Sequence, residues 1–141
     1  MFPVKWAPVL AIFAALSLAP ALAAEPAGLW RTQDGESMIR IAPCGTKLCG
    51  TLAWLKDPAG EDGAPRRDSA NADAALRNRP LIGVPLMAGL AKAGEIWSGK
   101  IYNPDDGKTY DGSVALTAAG TLEIKGCVAA IFCQTETLTR Q

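Results

Sequence analysis

The segment from Trp97 to Tyr110 constrains the fold of this chain more than any other stretch. Its two halves are alternating, aromatic-rich runs, and the turn residues Pro104-Asp105-Asp106-Gly107 separate them. Such a pattern predicts a β-hairpin, because every second side chain of a strand lies on the same face. The same alternation and turn chemistry recur along most of the chain.

Turn residues at near-regular spacing divide the chain into eight predicted strands, at residues 28–33, 36–42, 48–56, 82–90, 97–103, 108–117, 121–126 and 132–140. We expect an all-β fold, a single eight-stranded antiparallel up-and-down barrel, since closure removes the exposed strand edges. A β-sandwich is the alternative. Pro85 is unfavourable within a central strand, because proline cannot donate to the ladder.

Residues 57–79 differ in character from the strands. A cluster of Pro and Gly at 58–65 predicts a loop, and residues 71–77 predict a short helix capped by Asn71 and ended before Pro80. This segment between the strands either covers one end of the barrel or lies on its surface. Its polar residues either pin the loop to the barrel, or Arg77 or Arg79 binds the anionic head of a ligand through its planar guanidinium.

The N-terminus has the pattern of a secretory signal peptide at residues 1–23. Lys5 precedes an apolar run that ends at Leu18, and Ala21-Leu22-Ala23 supplies the cleavage pattern. The run is shorter than the roughly 20 residues that span a bilayer. We therefore expect one barrel domain at 24–141, in the periplasm or secreted, with no stable membrane insertion. Without Lys5 the formal charge falls from zero to minus one, which favours no nucleic-acid partner.

Four cysteines in an exported chain predict disulfides. Cys44 and Cys49 are close in sequence, as are Cys127 and Cys133, so loop length favours two local pairs. Three pairings are open on sequence alone. A redox pair is the functional alternative, although it would more naturally have Cys-x-x-Cys spacing.

A set of residues along nearly the whole mature chain resembles the bacterial domain-of-unknown-function family 2147. The order and spacing of this set are specific: Gly28-Leu29-Trp30, Pro43-Cys44-Gly45, Leu48-Cys49-Gly50, Arg79-Pro80-Leu81-Ile82-Gly83 and Trp97-x-Gly99-x-Ile101-Tyr102-x-Pro104. The resemblance implies a small exported lipocalin-like (calycin-like) β-barrel with no settled activity. Leu138 departs from the pattern, because an aromatic residue is expected at that position.

The Gly28-x-Trp30 pattern also resembles the lipocalin signature, in which a first-strand Trp lies beneath an Arg of the last strand. Arg140 is the matching residue, so we expect Trp30 and Arg140 to close one end of the barrel. A cation–π contact of this kind is worth roughly 0.5–2 kcal/mol. The alternative is that Trp30 is ordinary core and Arg140 a frayed tail.

The sequence offers little catalytic chemistry. Because the chain has no histidine, Ser-His-Asp, Cys-His and the usual zinc sites are excluded. The acidic pairs at 61–62 and 105–106 are typical of solvated turns, and Lys108 stands where a calcium loop needs glycine. No phosphate-binding or dinucleotide glycine pattern is present. We therefore expect no enzyme, no metal and no cofactor.

Two functions remain open. The first is a binding module for a small hydrophobic or amphiphilic ligand, with candidate contacts at Trp54, Arg77, Arg79, Trp97, Tyr102 and Tyr110. The second is an envelope structural or protein-interaction module with a packed interior and no ligand. A lined void of a few hundred Å³ would favour the first. The sequence indicates no particular protein partner.

Overall fold

The computed structural model describes residues 14–15 and 25–141. The predicted signal peptide and its cleavage point lie outside the described residues, apart from 14–15. The described residues form one short 3-10 helix (Ala74–Leu76) and eight strands: β1 (Gly28–Arg31), β2 (Ser37–Cys44), β3 (Lys47–Leu55), β4 (Pro85–Ala93), β5 (Ile96–Asn103), β6 (Lys108–Leu116), β7 (Leu122–Val128) and β8 (Phe132–Arg140).

The strands close into an antiparallel barrel in which each strand pairs with the next and β8 pairs with β1. The predicted up-and-down barrel is confirmed. The seam between β8 and β1 is the shortest of its interfaces, because β1 has only four residues. Its register consists of Trp30 opposite Arg140 and Arg31 opposite Thr139.

Two boundaries differ from the sequence-based expectation. Strand β4 begins at Pro85 rather than at residue 82, so the proline occupies the first position, where its missing N–H interrupts no ladder. The short helix is capped by Asp73, whose carboxylate accepts from the Ala75 N–H at 3.0 Å. Asn71 was the expected cap, and that prediction is wrong because the helix begins only at Ala74; the amide oxygen of Asn71 accepts from the Asp73 N–H at 2.8 Å, before the helix.

The two ends of the barrel carry different connections. We call the end with the start of β1 and the β2–β3, β4–β5 and β6–β7 turns the floor. The opposite end, which we call the mouth, carries the β1–β2, β5–β6 and β7–β8 turns. The excursion, residues 56–84, also leaves and re-enters the barrel at the mouth.

Apolar side chains fill the barrel from the floor to its middle. Three inward glycines leave no space there, because a Cβ atom added to any of them would lie 2.5–3.0 Å from a neighbouring side chain. The side chains that fill these positions are Met87 against Gly50, Leu90 against Gly99 and Ile101 against Gly112. This part of the interior is therefore packed like an ordinary core.

Both disulfides are local. Cys44–Cys49 joins the ends of β2 and β3 at the floor, and Cys127–Cys133 joins the ends of β7 and β8 at the mouth. All four cysteines belong to these two bonds. Of the three pairings that the sequence left open, the one with the shortest loops is the one that forms.

Candidate functional site

Trp30 lies at the floor beneath Arg140. The indole has no solvent exposure, and the Arg140 guanidinium carbon lies 4.3 Å from the ring centroid. The Trp30 Nε1–H donates to the Pro26 carbonyl at 2.8 Å. Arg140 also donates to the carbonyls of Ala27 and Glu25, at 2.7 and 2.9 Å, so it ties the chain before β1 to the last strand.

Trp97 also lies toward the floor. It is opposite Val114, a fully buried core residue, so its side chain is on the inner face of the barrel. Lys92 is its neighbour on the other side, with Nζ 5.5 Å from the ring centroid. Trp97 is the second residue of β5 and therefore lies at the floor, at the opposite end of the strand from the mouth.

The inner face of β7 and β8 changes from buried to open between floor and mouth. Leu122 and Leu138, a facing pair near the floor, have no solvent exposure. Every second pair above them faces the same interior. These pairs are Ile124 with Glu136, Gly126 with Gln134, and Val128 with Phe132.

The upper members of this inner face are uncovered. Ile124 is half-buried, whereas Val128 is 54% exposed and Phe132 75% exposed. Tyr110 extends the surface onto β6, because it is opposite the inward Ile101 and packs beside Gly126. We call this surface the mouth wall and define it as Tyr110, Ile124, Val128, Phe132, Gln134 and Glu136.

The opposite side of the mouth is filled. Ile39 on β2, Leu52 on β3 and Ile101 on β5 are buried, and so is Val84, which bonds to Leu52 through the backbone at 3.0 Å. Leu81 of the excursion packs against this core. The uncovered side chains of the inner face therefore lie on one side of the mouth, along β6, β7 and β8.

Glu136 is the charged member of the mouth wall. Its side chain reaches solvent, yet the surrounding wall partly desolvates it, and this burial raises the pKa of its carboxyl. The negative charges of Asp34 and Asp105 raise the pKa further, and the backbone amide of Gln33 opposes them. Among the described residues, Glu136 has no salt-bridge partner.

Tyr110 carries a second acidic contact at the mouth. Its O–H donates to the carboxylate of Asp106, in the β5–β6 turn. This hydrogen bond lowers the pKa of Asp106 and raises the pKa of Tyr110. The turn itself is held by Asp105 N–H donating to Asn103 Oδ1 at 3.0 Å, so its acidic residues have the structural role expected of a hairpin turn.

Asp68 fastens the excursion to the barrel. Its carboxylate has no solvent exposure and accepts from Tyr102 O–H at 2.6 Å, Asn71 Nδ2 at 2.9 Å and Arg79 Nε at 2.9 Å. Burial alone would raise its pKa, but these hydrogen bonds and the Arg79 charge bring it below the usual value. Burial and the Asp68 carboxylate raise the pKa of Tyr102 to about 12, so it stays a donor at neutral pH.

The two arginines of the excursion are engaged within it. Arg79 forms a salt bridge with Asp68 at 2.8 Å, and its guanidinium carbon lies 6.0 Å from the Tyr102 ring. Arg77 Nε donates to the Asn71 carbonyl at 2.7 Å. Both contacts match the interpretation in which these polar residues pin the loop.

Trp54 lies on the outer face of the barrel. Simple alternation from Leu52 would place it inside, but the register shifts so that Ile39 is opposite Leu52 and Met38 is opposite Trp54. One additional residue in β3 thus turns the side chain outward. The Arg31 guanidinium carbon lies 5.2 Å from its ring centroid.

The structure brings some of the sequence-derived candidates together and separates others. Trp30 contacts Arg140, and Tyr102 joins Arg79 through Asp68. Trp54, Trp97 and Tyr110 lie on the outer face, at the floor and at the mouth, respectively.

Sequence reasoning selected only Tyr110 of the mouth wall as a contact and missed its five other members: Ile124, Val128, Phe132, Gln134 and Glu136. The Cys127–Cys133 pair was the sequence signal that could have revealed these positions. Because the two cysteines lie opposite each other on β7 and β8, a residue a given number of positions before Cys127 faces the residue the same number of positions after Cys133.

A separate groove of about 290 Å³ lies outside the barrel, against the excursion. Pro58, Pro65, Pro80 and Ile82 line it, with Arg66 at its side. No metal-binding group of acidic or cysteine side chains occurs within residues 25–141. In the same part of the chain, no helix is long and apolar enough to span a bilayer.

The family described as "Uncharacterized protein conserved in bacteria (DUF2147)" matches residues 28–140. Among solved structures, the chain is similar to protein HP1028 from Helicobacter pylori, described as belonging to the lipocalin family. The two share 27% identity and a TM-score of 0.72, over 84% of each chain. No curated protein matches. With its closed eight-stranded barrel, this chain belongs to the DUF2147 family.

Proposed function

We propose that this protein binds one small apolar or amphiphilic molecule at the mouth of its barrel. The observation that carries the proposal is the mouth wall, where Ile124, Val128 and Phe132 face the interior without being fully covered by protein. Exposed apolar side chains with polar residues beside them are typical of binding sites. Because the floor and the middle are packed, the ligand must be small and only partly enclosed.

The comparison with the lipocalin-family protein supports a binding role. An eight-stranded barrel has an interior that either fills with side chains or holds one small ligand. In this barrel, side chains fill the floor and the middle, whereas the inner face at the mouth is left uncovered. We propose binding without catalysis, since the hydroxyl of Tyr110 in the mouth wall donates to Asp106 and this bond raises the pKa of Tyr110, the opposite of what activates a nucleophile.

The two disulfides support an exported location. Such bonds persist in oxidising compartments and are rare in the cytosol. We therefore propose that the processed protein acts in the periplasm or outside the cell, where it would meet its ligand in solution or at the envelope.

The test is a fluorescence titration of the purified protein with the neutral apolar dye N-phenyl-1-naphthylamine. We expect saturable binding, weakened about fivefold or more by Ile124→Ala and by Phe132→Ala, since each change removes roughly 1 kcal/mol of apolar contact. The control is Ile82→Ala, in the outer groove, which should alter the affinity less than about twofold. Loss of binding in the Ile82 variant alone would move the site to that groove.

A packed interaction module is the second candidate function. The filled glycine positions in the middle of the barrel favour it, because they leave no deep cavity there. In that case the exposed tip of the β7–β8 hairpin, with Ile131 80% exposed, would contact a protein. Absence of saturable dye binding to the wild-type protein would favour this candidate.

A further inference from the structure

We infer that the ligand of the mouth is a cationic amphiphile, with its positive head beside Glu136 and its apolar part against Ile124, Val128 and Phe132. This inference rests on the proposed function and adds the chemical class of the ligand. It follows from the position of one inward carboxylate on an otherwise apolar wall, together with the charges around the mouth.

Glu136 is placed to meet a ligand rather than a protein group. Its facing residue is Ile124, and the adjoining inner pairs are Leu122 with Leu138 and Gly126 with Gln134, none of which carries a charge. The backbone amide of Gln33 is the protein group that favours the charged form of Glu136, and Glu136 joins none of the salt bridges of the described residues, so its carboxylate has no positive partner among them. An ammonium group would supply the missing partner, and the raised pKa of Glu136 agrees with a carboxylate short of solvation.

The other charged groups that act at the mouth are mostly negative. Asp34 of the β1–β2 turn and Asp105 of the β5–β6 turn both act on Glu136. Asp106 lies in the same turn as Asp105, and Lys108 at the start of β6 acts on it. The charged groups that act on the Glu136 carboxyl are thus both negative, and negative potential of this kind attracts cations.

The arginines that could hold an anionic head are engaged elsewhere. Arg79 is bound to the buried Asp68, and Arg77 donates to backbone carbonyls within the excursion. Arg31 stacks on Trp54 outside the barrel, and Arg140 covers Trp30 at the floor. A carboxylate or sulfate head at the mouth would therefore lie beside Glu136 without a guanidinium to neutralise it.

The ligand can also use aromatic surface. Tyr110 and Phe132 are both members of the mouth wall, and Phe132 is 75% exposed. Aromatic faces attract cations as well as apolar chains. A head group that combines positive charge with methyl or methylene carbons would gain from both the carboxylate and these rings.

The test compares decyltrimethylammonium and decanoate, two amphiphiles with similar chains and opposite charges, below their micelle concentrations. Isothermal titration calorimetry at neutral pH should give an affinity for the cation about tenfold or more above that for decanoate. Glu136→Gln should weaken the cation about three- to tenfold, the range of a partly exposed ion pair, and leave the neutral naphthylamine dye within about twofold.

The matched control is Glu123→Gln. Glu123 is exposed on β7, one residue from the inward Leu122 and therefore on the outer face. The same loss of charge there should leave the preference for the cation unchanged. Added salt should weaken the cation in the wild-type protein, a measurement that needs no variant.

The outcomes separate the inference from the function on which it rests. If the dye binds at the mouth but decanoate binds as tightly as the cation, the charge inference is overturned and the mouth site stands. If neither the dye nor either amphiphile binds, the proposed function fails and the inference fails with it. Equal effects of the two Gln variants would likewise overturn the role of Glu136.

Discussion

At the scale of single residues, Asp68 decides where the excursion lies. A carboxylate without solvent exposure is stable only when it is paired and hydrogen-bonded, and Asn71, Arg79 and Tyr102 provide this. Tyr102 comes from β5, 34 positions away along the chain. It therefore joins the excursion to the wall of the barrel.

Tyr102→Phe tests this attachment. The substitution removes one donor from a buried carboxylate, so we expect a loss of roughly 1.5–3 kcal/mol in the free energy of unfolding, measured by urea denaturation. Tyr110→Phe is the matched control, since its O–H also meets an aspartate, but an exposed one. It should have a much smaller effect, and equal losses would show that burial of Asp68 does not decide the strength of the contact.

The same variant has a defined pH dependence. The folded-state pKa of Asp68 lies below the ordinary 3.8, so the stability from its charged form is complete above that value. This stability is lost as the pH falls toward the folded-state pKa. The difference between wild type and Tyr102→Phe should thus be largest near neutral pH and shrink in acid; a difference that grew below pH 3.8 would contradict the assignment.

At the scale of elements, the β7–β8 hairpin supplies most of the mouth wall. Cys127–Cys133 closes its tip, and Ala129 and Ala130 in the turn have φ of 54° and 59°. Left-handed backbone is unfavourable for residues other than glycine. The covalent bond thus helps to hold the turn, and with it the facing positions of Val128 and Phe132.

Removing each disulfide separately tests this role. Cys127→Ser/Cys133→Ser and Cys44→Ser/Cys49→Ser should each lower the free energy of unfolding by about 2 kcal/mol, because the closed loops are of similar length. Only the first pair borders the mouth, so only its loss should weaken binding of the naphthylamine dye. Equal weakening by both pairs would mean that the hairpin tip does not shape the site.

At the scale of the whole molecule, the packed floor and the proposed binding surface lie at opposite ends of the barrel. The floor holds the most completely buried side chains, Trp30, Leu122 and Leu138 among them. The mouth is filled beneath the excursion and open along β6, β7 and β8. A ligand at the open side would contact little of the core that holds the barrel closed.

Leu138→Ala tests the division. Truncation of a leucine without solvent exposure should lower the free energy of unfolding by about 2–5 kcal/mol. Dye affinity of the folded variant should stay within about twofold of wild type, because Leu138 lies below the mouth wall. A parallel loss of affinity, measured under conditions where circular dichroism shows a folded protein, would refute the separation.

The local pattern was sufficient to predict the eight strands and their order in the barrel. Strand alternation has a period of two and short turns pair adjacent strands, so the hairpins need no distant contacts. Closure of β8 on β1 joins the two ends of the chain, and it could be expected because it removes the exposed sheet edges. Alternation alone could not decide which of the candidate aromatic residues face inward. Trp54 is the example, because one additional residue in β3 reverses the alternation that Leu48 and Leu52 establish.

The sequence by itself determined the antiparallel barrel and the residues available to its core, because hairpin formation and alternation depend on near neighbours. Only the tertiary structure decided that Asp68 is buried, that Arg79 is bound to it, and that Glu136 lies on the inner face opposite Ile124. These features depend on contacts between distant segments and on how far β1 extends along β8. Because no local sequence pattern encodes contacts between distant segments, the negative charge at the mouth could be recognised only from the three-dimensional structure.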